Sequence, residues 1–284
     1  MTQTFHGFDT AAMFKWSEPA EFPVTREQLS AYARATNDDI PAHLAGDLAS
    51  PVFNVVPQFK VSAPLTLTMP PEALRMNGLH GEQDFRFHRP MVPGMTLVSR
   101  AMPIGIIPHS TGVTITVKSE TTADGELVTD QYVTVFIRGA EVPEPLGEGP
   151  PDHRVPRGDG PLVAEVTRGF DSDQTFRYRD ASGDEMPIHT DDDFARSFGL
   201  PGIILHGNCT LAFATRTVLA ATCDDDTSRM KRLAVRYSRI VQPHEKITTR
   251  VWDGGERDGR RIYGFETAVD DGSLCLSNGL VEVE

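Results

Sequence analysis

An aspartate and a histidine, Asp184 and His189, lie five residues apart in the segment SGDEMPIH. The proline-containing turn between them lets both side chains converge on one water molecule without sharing a helical face. Histidine titrates near neutral pH and exchanges protons with water, while a carboxylate orients the water or accepts its proton. An Asp-x4-His pair alone is most often part of a surface loop, so its meaning depends on the elements around it.

The tripeptide Leu205-His206-Gly207 opens an apolar segment, GNCTLAFATRTVLAATC, which ends at Cys223. The segment has no proline and no internal glycine, and it is apolar on every face, so it predicts a buried central helix. The first turn of a helix has backbone N–H groups without helical partners, and the helix dipole is positive there. We therefore expect Gly207, which has no side chain to obstruct an approaching carbonyl, to form an oxyanion hole.

Two neighbouring features receive structural interpretations. Asp191, Asp192 and Asp193 precede FARSFG, where acidic residues stabilise the first turn of a helix, and we expect no catalytic role for them. Cys209 follows the helix start, where a thiolate is favoured, but no base for it can be identified. We expect Cys209 to be packed rather than nucleophilic.

Segments of the first half recur in the second half in the same order. RFHRPMVPGMTLVSR (86–100) matches RYSRIVQPHEKITTR (236–250), and YARATNDDIPAH (32–43) matches YRDASGDEMPIH (178–189). Between the halves, many prolines and glycines exclude regular helix and central strand. The sequence therefore predicts an internal duplication, with repeats at 1–140 and 162–284 and a linker at 141–161.

Each repeat predicts one buried helix and an antiparallel meander, an α+β pattern. The clearest strand segments alternate with turns suited to hairpins; they are GVTITVKSETT and LVTDQYVTVFIRG in the first repeat, and RLAVRYSRI, EKITTRVWD, RRIYGFETAVD and SLCLSNGLVEV in the second.

The first repeat has its own pair, Asp38 and His43, at the same spacing. The following segment LAGDLASPVFNVVPQF has no Leu-His-Gly, and Pro57 lies where a clean central helix would run. A second Leu-His-Gly, ending at Gly81, leads into a strand. We interpret the first pair as a relic of the duplication.

Composition excludes several classes of function. A net charge of −13 disfavours nucleic acid as a partner. No apolar run reaches membrane-spanning length and the N-terminus lacks a signal-peptide pattern, so we expect no membrane association and a cytoplasmic location. Three widely spaced cysteines suggest neither disulfides nor a zinc site, and no metal or organic cofactor is expected.

A local basic cluster stands out against the acidic background. SRMKRLAVRYSR contains no acidic residue, and it is compatible either with a solvated strand or with a phosphate site. In the second case Arg232 and Arg236 are the candidate substrate-binding residues. The members of this basic cluster are Arg229, Lys231, Arg232, Arg236 and Arg239.

Taken together, these features resemble the MaoC-like (R)-specific enoyl-CoA hydratase, or hydratase 2, family. Its signature is approximately Y-x-x-x-S-G-D-x-N-P-[IL]-H-x-D, followed by Leu-His-Gly at the start of the central helix. The matching residues here are Tyr178, Ser182, Gly183, Asp184, Pro187, Ile188, His189 and Asp191, then Leu205, His206 and Gly207. With the duplication, the resemblance implies a double hot dog, in which each repeat wraps an antiparallel sheet around a central helix and the first repeat lines the acyl-binding tunnel.

The resemblance implies hydration of a trans-2-enoyl thioester to a 3(R)-hydroxyacyl thioester. Asp184 and His189 would act on one water molecule, and the Gly207 N–H would bind the thioester oxygen. The carrier would be CoA or acyl-carrier protein, and a homodimer is expected. Alternative functions are a hot-dog acyl thioesterase, which also uses a carboxylate and water, and a non-catalytic acyl-thioester-binding partner subunit.

The chain departs from the signature at Met186, where the family has an asparagine that helps to orient hydrogen bonds. A thioether cannot take that role. The departure implies reduced activity, a different substrate, or replacement by another polar group such as Glu185 or Asn208. We expect Met186, His206 and Asn208 to contact the substrate.

Overall fold

The structure of the protein is a computed structural model, and it describes residues 4–155 and 160–284. The chain forms two compact units that interleave along the sequence. The first unit contains the chain up to Pro23 together with Val56–His88 and Thr96–Asp152, and the second contains Val24–Val55, Arg89–Met95 and His153–Glu284. The predicted repeat boundaries, 1–140 and 162–284, describe the sequence duplication and remain a prediction.

The strands of both units are antiparallel. Those of the first unit are β1 (Thr4–Phe5), β2 (Phe8–Asp9), β3 (Ala20–Pro23), β4 (Gly78–Phe87), β5 (Thr96–His109), β6 (Gly112–Ala123), β7 (Glu126–Arg138) and β8 (Leu146–Gly147). Those of the second unit are β9 (Leu162–Gly169), β10 (Met230–Tyr237), β11 (Lys246–Arg257), β12 (Arg260–Val269) and β13 (Leu274–Val283). All six strand segments quoted from the sequence are confirmed.

The helices comprise α1 (Arg26–Ala35), α2 (Pro41–Leu44), α3 (Val55–Thr68), α4 (Gln174–Ser182), α5 (Asp192–Ser197) and α6 (Gly207–Thr222). Short 3₁₀ turns cover Pro51–Asn54, Glu72–Asn77, Pro187–His189 and Thr227–Arg229. No helix within the described residues is long and apolar enough to cross a membrane.

The duplication is visible in the topology of each unit. The strand order is β3-β5-β6-β7-β4 in the first and β9-β11-β12-β13-β10 in the second, so corresponding strands occupy corresponding places. Matched residues also lie in corresponding strand pairs: Leu97 of β5 pairs with Ala123 of β6 in the first unit, and Ile247 of β11, its match in sequence, pairs with Val269 of β12 in the second. Each unit thus contains one copy of the same antiparallel sheet.

A helix packs on each sheet. In the second unit α6 contacts β9, β11 and β12, and its buried residues include Leu211 and Phe213. In the first unit Val61 of α3 joins the core formed by the sheet. The prediction that Pro57 prevents a clean helix in the first repeat is wrong, because Pro57 lies in the first turn of α3, where a missing N–H costs no hydrogen bond.

The Pro/Gly-rich linker contains only the short strand β8 in its described part, and residues 156–159 lie outside the described residues. Leu146 and Gly147 pair with β5 of the first unit. Gly147 needs its left-handed φ of 76°, and an added Cβ would lie 2.1 Å from the carbonyl oxygen of Ile104.

We predict that Leu211→Ala lowers the free energy of unfolding by about 2–5 kcal/mol, because a fully buried leucine leaves a cavity in the packing around α6. Urea denaturation measures the change. Leu162→Ala is the matched control: that side chain is 57% exposed, and we expect a change within about 0.5 kcal/mol. Equal losses in both variants would contradict the central position of α6.

Candidate active site

A tight turn at the end of α4 brings Asp184 and His189 together. Gly183 ends the helix with a left-handed φ of 74°, and Asp184 follows it directly. The N–H of Asp184 donates to Ser182 Oγ at 3.2 Å, and Asp184 Oδ1 accepts from the N–H of Met186 at 3.3 Å. The 3₁₀ turn Pro187–His189 then returns His189 toward the carboxylate.

One ring nitrogen of His189 is held by the backbone. Nδ1 lies 2.8 Å from the carbonyl oxygen of Ile204, which accepts its proton because a carbonyl cannot donate. In the neutral ring Nε2 is then the proton acceptor. Within the described part of the chain Nε2 has no hydrogen-bond partner, so it is available to a small molecule.

His206 lies flat against His189. The ring centroids are 3.7 Å apart, with planes inclined by 23°. His206 Nε2 donates to the backbone carbonyl of Asp184 at 3.1 Å, and its Nδ1 is buried without a hydrogen-bond partner. The ring of Tyr178 packs on His206 with a centroid separation of 4.8 Å, and the Tyr178 hydroxyl lies 3.1 Å from that of Tyr32. His206 thus positions both the loop of Asp184 and the ring of His189.

One polar side-chain atom from each of Asp184, His189 and His206 lies within 4.8 Å of the other two. A carboxylate and two imidazoles form a donor set that a metal ion could use, but a metal requires lone pairs that converge on one point. Stacked imidazoles direct their in-plane lone pairs along neighbouring, nearly parallel planes. The geometry is better suited to a hydrogen-bonded molecule.

Burial keeps both histidines neutral. Burial lowers the pKa of His189, and the nearby Asp184 carboxylate partly opposes that effect. Burial, reinforced by the neighbouring His189, lowers the pKa of His206 to about 2. At neutral pH both rings are therefore neutral imidazoles, each with one ring nitrogen that can accept a hydrogen bond.

The second component of the site is the first turn of α6. The helix begins at Gly207 after His206, whose side chain does not cap it. The N–H of Gly207 has no acceptor among the described residues. An added Cβ at Gly207 would lie 3.1 Å from a ring carbon of Tyr237, so any larger residue here would require the Tyr237 ring to shift by a few tenths of an ångström. The helix start therefore presents a backbone donor, and its role as an oxyanion hole stays a prediction.

The predicted substrate-binding residues differ in their contacts. Asn208 Oδ1 accepts a hydrogen bond of 2.6 Å from the hydroxyl of Tyr237. Arg232 lies 3.3 Å from the carboxylate of Glu282, whereas Arg236 is exposed. The three other cations of the basic cluster are paired with carboxylates: Arg229 with Asp224, Lys231 with Glu284, and Arg239 with Glu245 and Asp271. Arg236 is the member without an ion-pair partner in the described structure.

The Asp38/His43 pair of the first repeat differs from the Asp184/His189 pair in its hydrogen bonds. His43 Nδ1 lies 2.7 Å from Asp38 Oδ2, and its Nε2 lies 2.9 Å from Thr227 Oγ1. Asp38 Oδ1 accepts from the N–H of Ile40. Both ring nitrogens of His43 are thus occupied inside the protein, which agrees with a structural relic.

The structural interpretations also agree with the contacts. Asp191 caps α5 by accepting from the N–H of Phe194 at 2.9 Å, and Asp192 pairs with Arg196 at 2.7 Å. Cys209 is fully buried, and burial raises the pKa of its thiol. Sequence reasoning assigned no role to the carbonyl of Ile204 or to Tyr237. A backbone acceptor leaves no signal in residue types, and Tyr237 lies in the repeated segment 236–250, where the only signal is that Phe87 stands at the matching position of 86–100.

The fold resembles that of solved double hot dogs. A Mycobacterium tuberculosis protein described as having a double hot-dog fold superposes with a TM-score of 0.59 at 12% identity, over 94% of this chain and 95% of that one. The crystal structure of a MaoC-like dehydratase from Phytophthora capsici gives a TM-score of 0.80 at 27% identity, over 94% of each chain. The predicted α+β double hot dog is confirmed.

Comparisons of sequence match both parts of the chain to known domains. A model of the MaoC-like domain matches residues 156–271, and a model of the MFE-2 hydratase 2 N-terminal domain matches residues 47–139. The chain is 31% identical to the peroxisomal multifunctional enzyme type 2 of Mus musculus, over 72% of this chain and only 27% of that one. It is 28% identical to the peroxisomal enoyl-CoA hydratase 2 of Arabidopsis thaliana, over 72% of this chain and 68% of that one. The chain thus carries a MaoC-like domain in its second part and an MFE-2 hydratase 2 N-terminal domain in its first.

The neutral, buried histidines predict acid sensitivity. An unfolded histidine binds a proton below about pH 6.5, whereas folded His206 stays neutral down to about pH 2. The free energy of unfolding therefore falls progressively as the pH drops below about 6.5, because the unfolded chain binds a proton that folded His206 does not. We expect His206→Gln to show a shallower pH slope in urea denaturation at pH 4.5–6.5. An unchanged slope would mean that His206 is protonated in the folded protein.

Proposed function

We propose that this chain is a hydro-lyase that reversibly hydrates a trans-2-enoyl thioester to a 3(R)-hydroxyacyl thioester. The observation that carries the proposal is the free Nε2 of His189, held close to the Asp184 carboxylate by the bond from Nδ1 to Ile204. The two matching domains and the relative named enoyl-CoA hydratase 2 support the same class of enzyme.

In the proposed reaction, Asp184 and His189 hold one water molecule at C3 of the substrate. His189 Nε2 accepts a proton as the water oxygen bonds to C3, and Asp184 orients the water. The π electrons of the double bond move toward the thioester, and C2 then takes up one proton from the Asp184/His189 pair. The hydroxyl and the proton both arrive on the face of the double bond that lies against the pair, and their sum is one water molecule.

During the addition, negative charge develops on the thioester oxygen. The Gly207 N–H, at the positive end of the 16-residue helix α6, is the donor that we assign to this oxygen. Loss of one such donor in an enzyme lowers the rate by about 100- to 1000-fold.

We propose that the acyl group of the substrate is carried by CoA, with acyl-carrier protein as the alternative carrier. Exposed Arg236 is the candidate for contact with a phosphate of the carrier, whereas Arg232 has an internal carboxylate partner. His206, Met186 and Asn208 are the proposed contacts near the reacting atoms. A homodimer stays a prediction, and light scattering tests it. A cytoplasmic location also stays a prediction. Several relatives have names that contain the word peroxisomal, so fractionation of the source cells is the test of the location.

We predict that Asp184→Asn and His189→Gln each reduce hydration of a 2-enoyl-CoA by at least about 100-fold, because each variant removes a partner in proton transfer. Loss of the absorbance of the conjugated thioester measures the rate, and chiral analysis of the product tests the 3(R) configuration. Release of free thiol by the wild type would instead indicate a thioesterase, and tight binding without turnover a partner subunit.

The matched control is Asp38→Asn, which alters a carboxylate at the same spacing before a histidine. Its side chain lies in a closed network with His43 and Ile40, so we expect a lower midpoint of thermal unfolding with the hydration rate retained within about threefold. A loss equal to that of Asp184→Asn in a folded Asp38→Asn protein would contradict the assignment of the site to the second repeat.

A further inference from the structure

The contact between Tyr237 and Asn208 leaves a specific group available at the start of α6. Asn208 is the second residue of the helix, and Tyr237 is the last residue of β10. The Tyr237 hydroxyl donates to Asn208 Oδ1 at 2.6 Å, and burial raises the pKa of this phenol, so the donor proton is retained at neutral pH. This bond fixes the orientation of the carboxamide, and the NH₂ group of Asn208, which can only donate, has no hydrogen-bond partner among the described residues.

The same tyrosine also packs against Gly207. A Cβ on Gly207 would lie 3.1 and 3.2 Å from two carbons of the Tyr237 ring. Side chains on an α-helix lean toward its N-terminus, so the carboxamide of Asn208 leans toward the end where the Gly207 N–H is free. Tyr237 therefore contacts both residues that present donors at this helix end.

The first repeat lacks this hydroxyl. Phe87 occupies the position that corresponds to Tyr237, at the end of the corresponding strand β4. The helix of that repeat, α3, also starts differently: the 3₁₀ turn Pro51–Asn54 leads into it, and the N–H of Val55 donates to carbonyls of that turn. The tyrosine hydroxyl is thus present in the repeat whose helix start has a free backbone donor.

We propose that Asn208 Nδ2 donates a second hydrogen bond to the thioester carbonyl oxygen, beside the Gly207 N–H, and that Tyr237 is a positioning residue that fixes the orientation of the carboxamide. The inference rests on the proposed hydration function. The turn after Asp184 carries the thioether of Met186, which cannot donate a hydrogen bond, whereas the carboxamide of Asn208 can.

The test uses steady-state hydration of a 2-enoyl-CoA by the full chain. We expect Asn208→Ala to lower kcat about 100-fold through loss of an oxyanion donor. Tyr237→Phe, which installs the residue of the first repeat, should lower kcat about tenfold with KM within about twofold, the effect of losing one orienting hydrogen bond. The double variant should be no slower than Asn208→Ala within about twofold, because Tyr237 acts through Asn208.

Asn208→Asp separates catalysis from structure. The carboxylate can still accept from the Tyr237 hydroxyl, and an acidic side chain in the first turn suits the helix dipole, so the midpoint of thermal unfolding should not fall. Activity should nevertheless drop at least as far as in Asn208→Ala, since the NH₂ donor is gone and a negative charge replaces it. Ser238→Ala, which removes the exposed hydroxyl next to Tyr237 in sequence, is the control and should keep wild-type kcat.

Several results would overturn the inference. A folded Asn208→Asp protein with wild-type kcat would exclude the donor role, and additive losses in the double variant would exclude positioning through Asn208. A loss in Tyr237→Phe confined to thermal stability would make the contact structural. In each case the wild type still hydrates the substrate, whereas failure of the proposed function appears as a wild type without hydration.

Discussion

The hydrogen bond from His189 Nδ1 to the carbonyl oxygen of Ile204 is the interaction on which the candidate site depends. It selects the tautomer of a buried, neutral imidazole and leaves Nε2 as the acceptor beside the Asp184 carboxylate. Ile204 is itself tied to the same turn, because its N–H donates to the carbonyl of Ile188. Two hydrogen bonds therefore connect the segment that leads into α6 to the turn that carries His189. The same bonds fix the position of the proton acceptor relative to the start of α6.

Duplication of the fold did not duplicate the site. Asp38 and His43 keep the spacing of Asp184 and His189, and the two sheets keep the same strand order. Yet His43 binds Asp38 through one nitrogen and Thr227 through the other, so no nitrogen is left for a ligand. Proton transfer needs an acceptor nitrogen that has no hydrogen-bond partner inside the protein. His189 meets this condition and His43 does not, although the two Asp-His pairs have the same spacing in sequence.

The stacking of His189 on His206 has an energetic cost, which favourable burial in other parts of the fold must offset. Two imidazoles in contact and out of water remain neutral, as the pKa of about 2 for His206 shows, and the buried His206 Nδ1 lacks a partner. An unpaired buried polar atom costs about 1–3 kcal/mol. Burial of eleven of the sixteen residues of α6 offsets such a cost.

Much of this chain can be derived from its sequence. The apolar segment after His206 predicted α6 to within one residue, and the matched segments predicted the duplication that the repeated strand order shows. The motif context selected Asp184, His189 and Gly207 as candidate site residues, and their roles stay predictions. These features depend on local pattern: periodicity, turn residues and spacing. The interruption expected at Pro57 was wrong, because a proline in the first turn leaves helical hydrogen bonds intact.

Only the tertiary structure decided which nitrogen of each histidine is occupied, that Tyr237 orients Asn208, and that Arg236 alone among the described basic cluster has no ion-pair partner. Each of these depends on contacts between residues distant in sequence, and in the case of His189 on a backbone carbonyl, which every residue type provides equally.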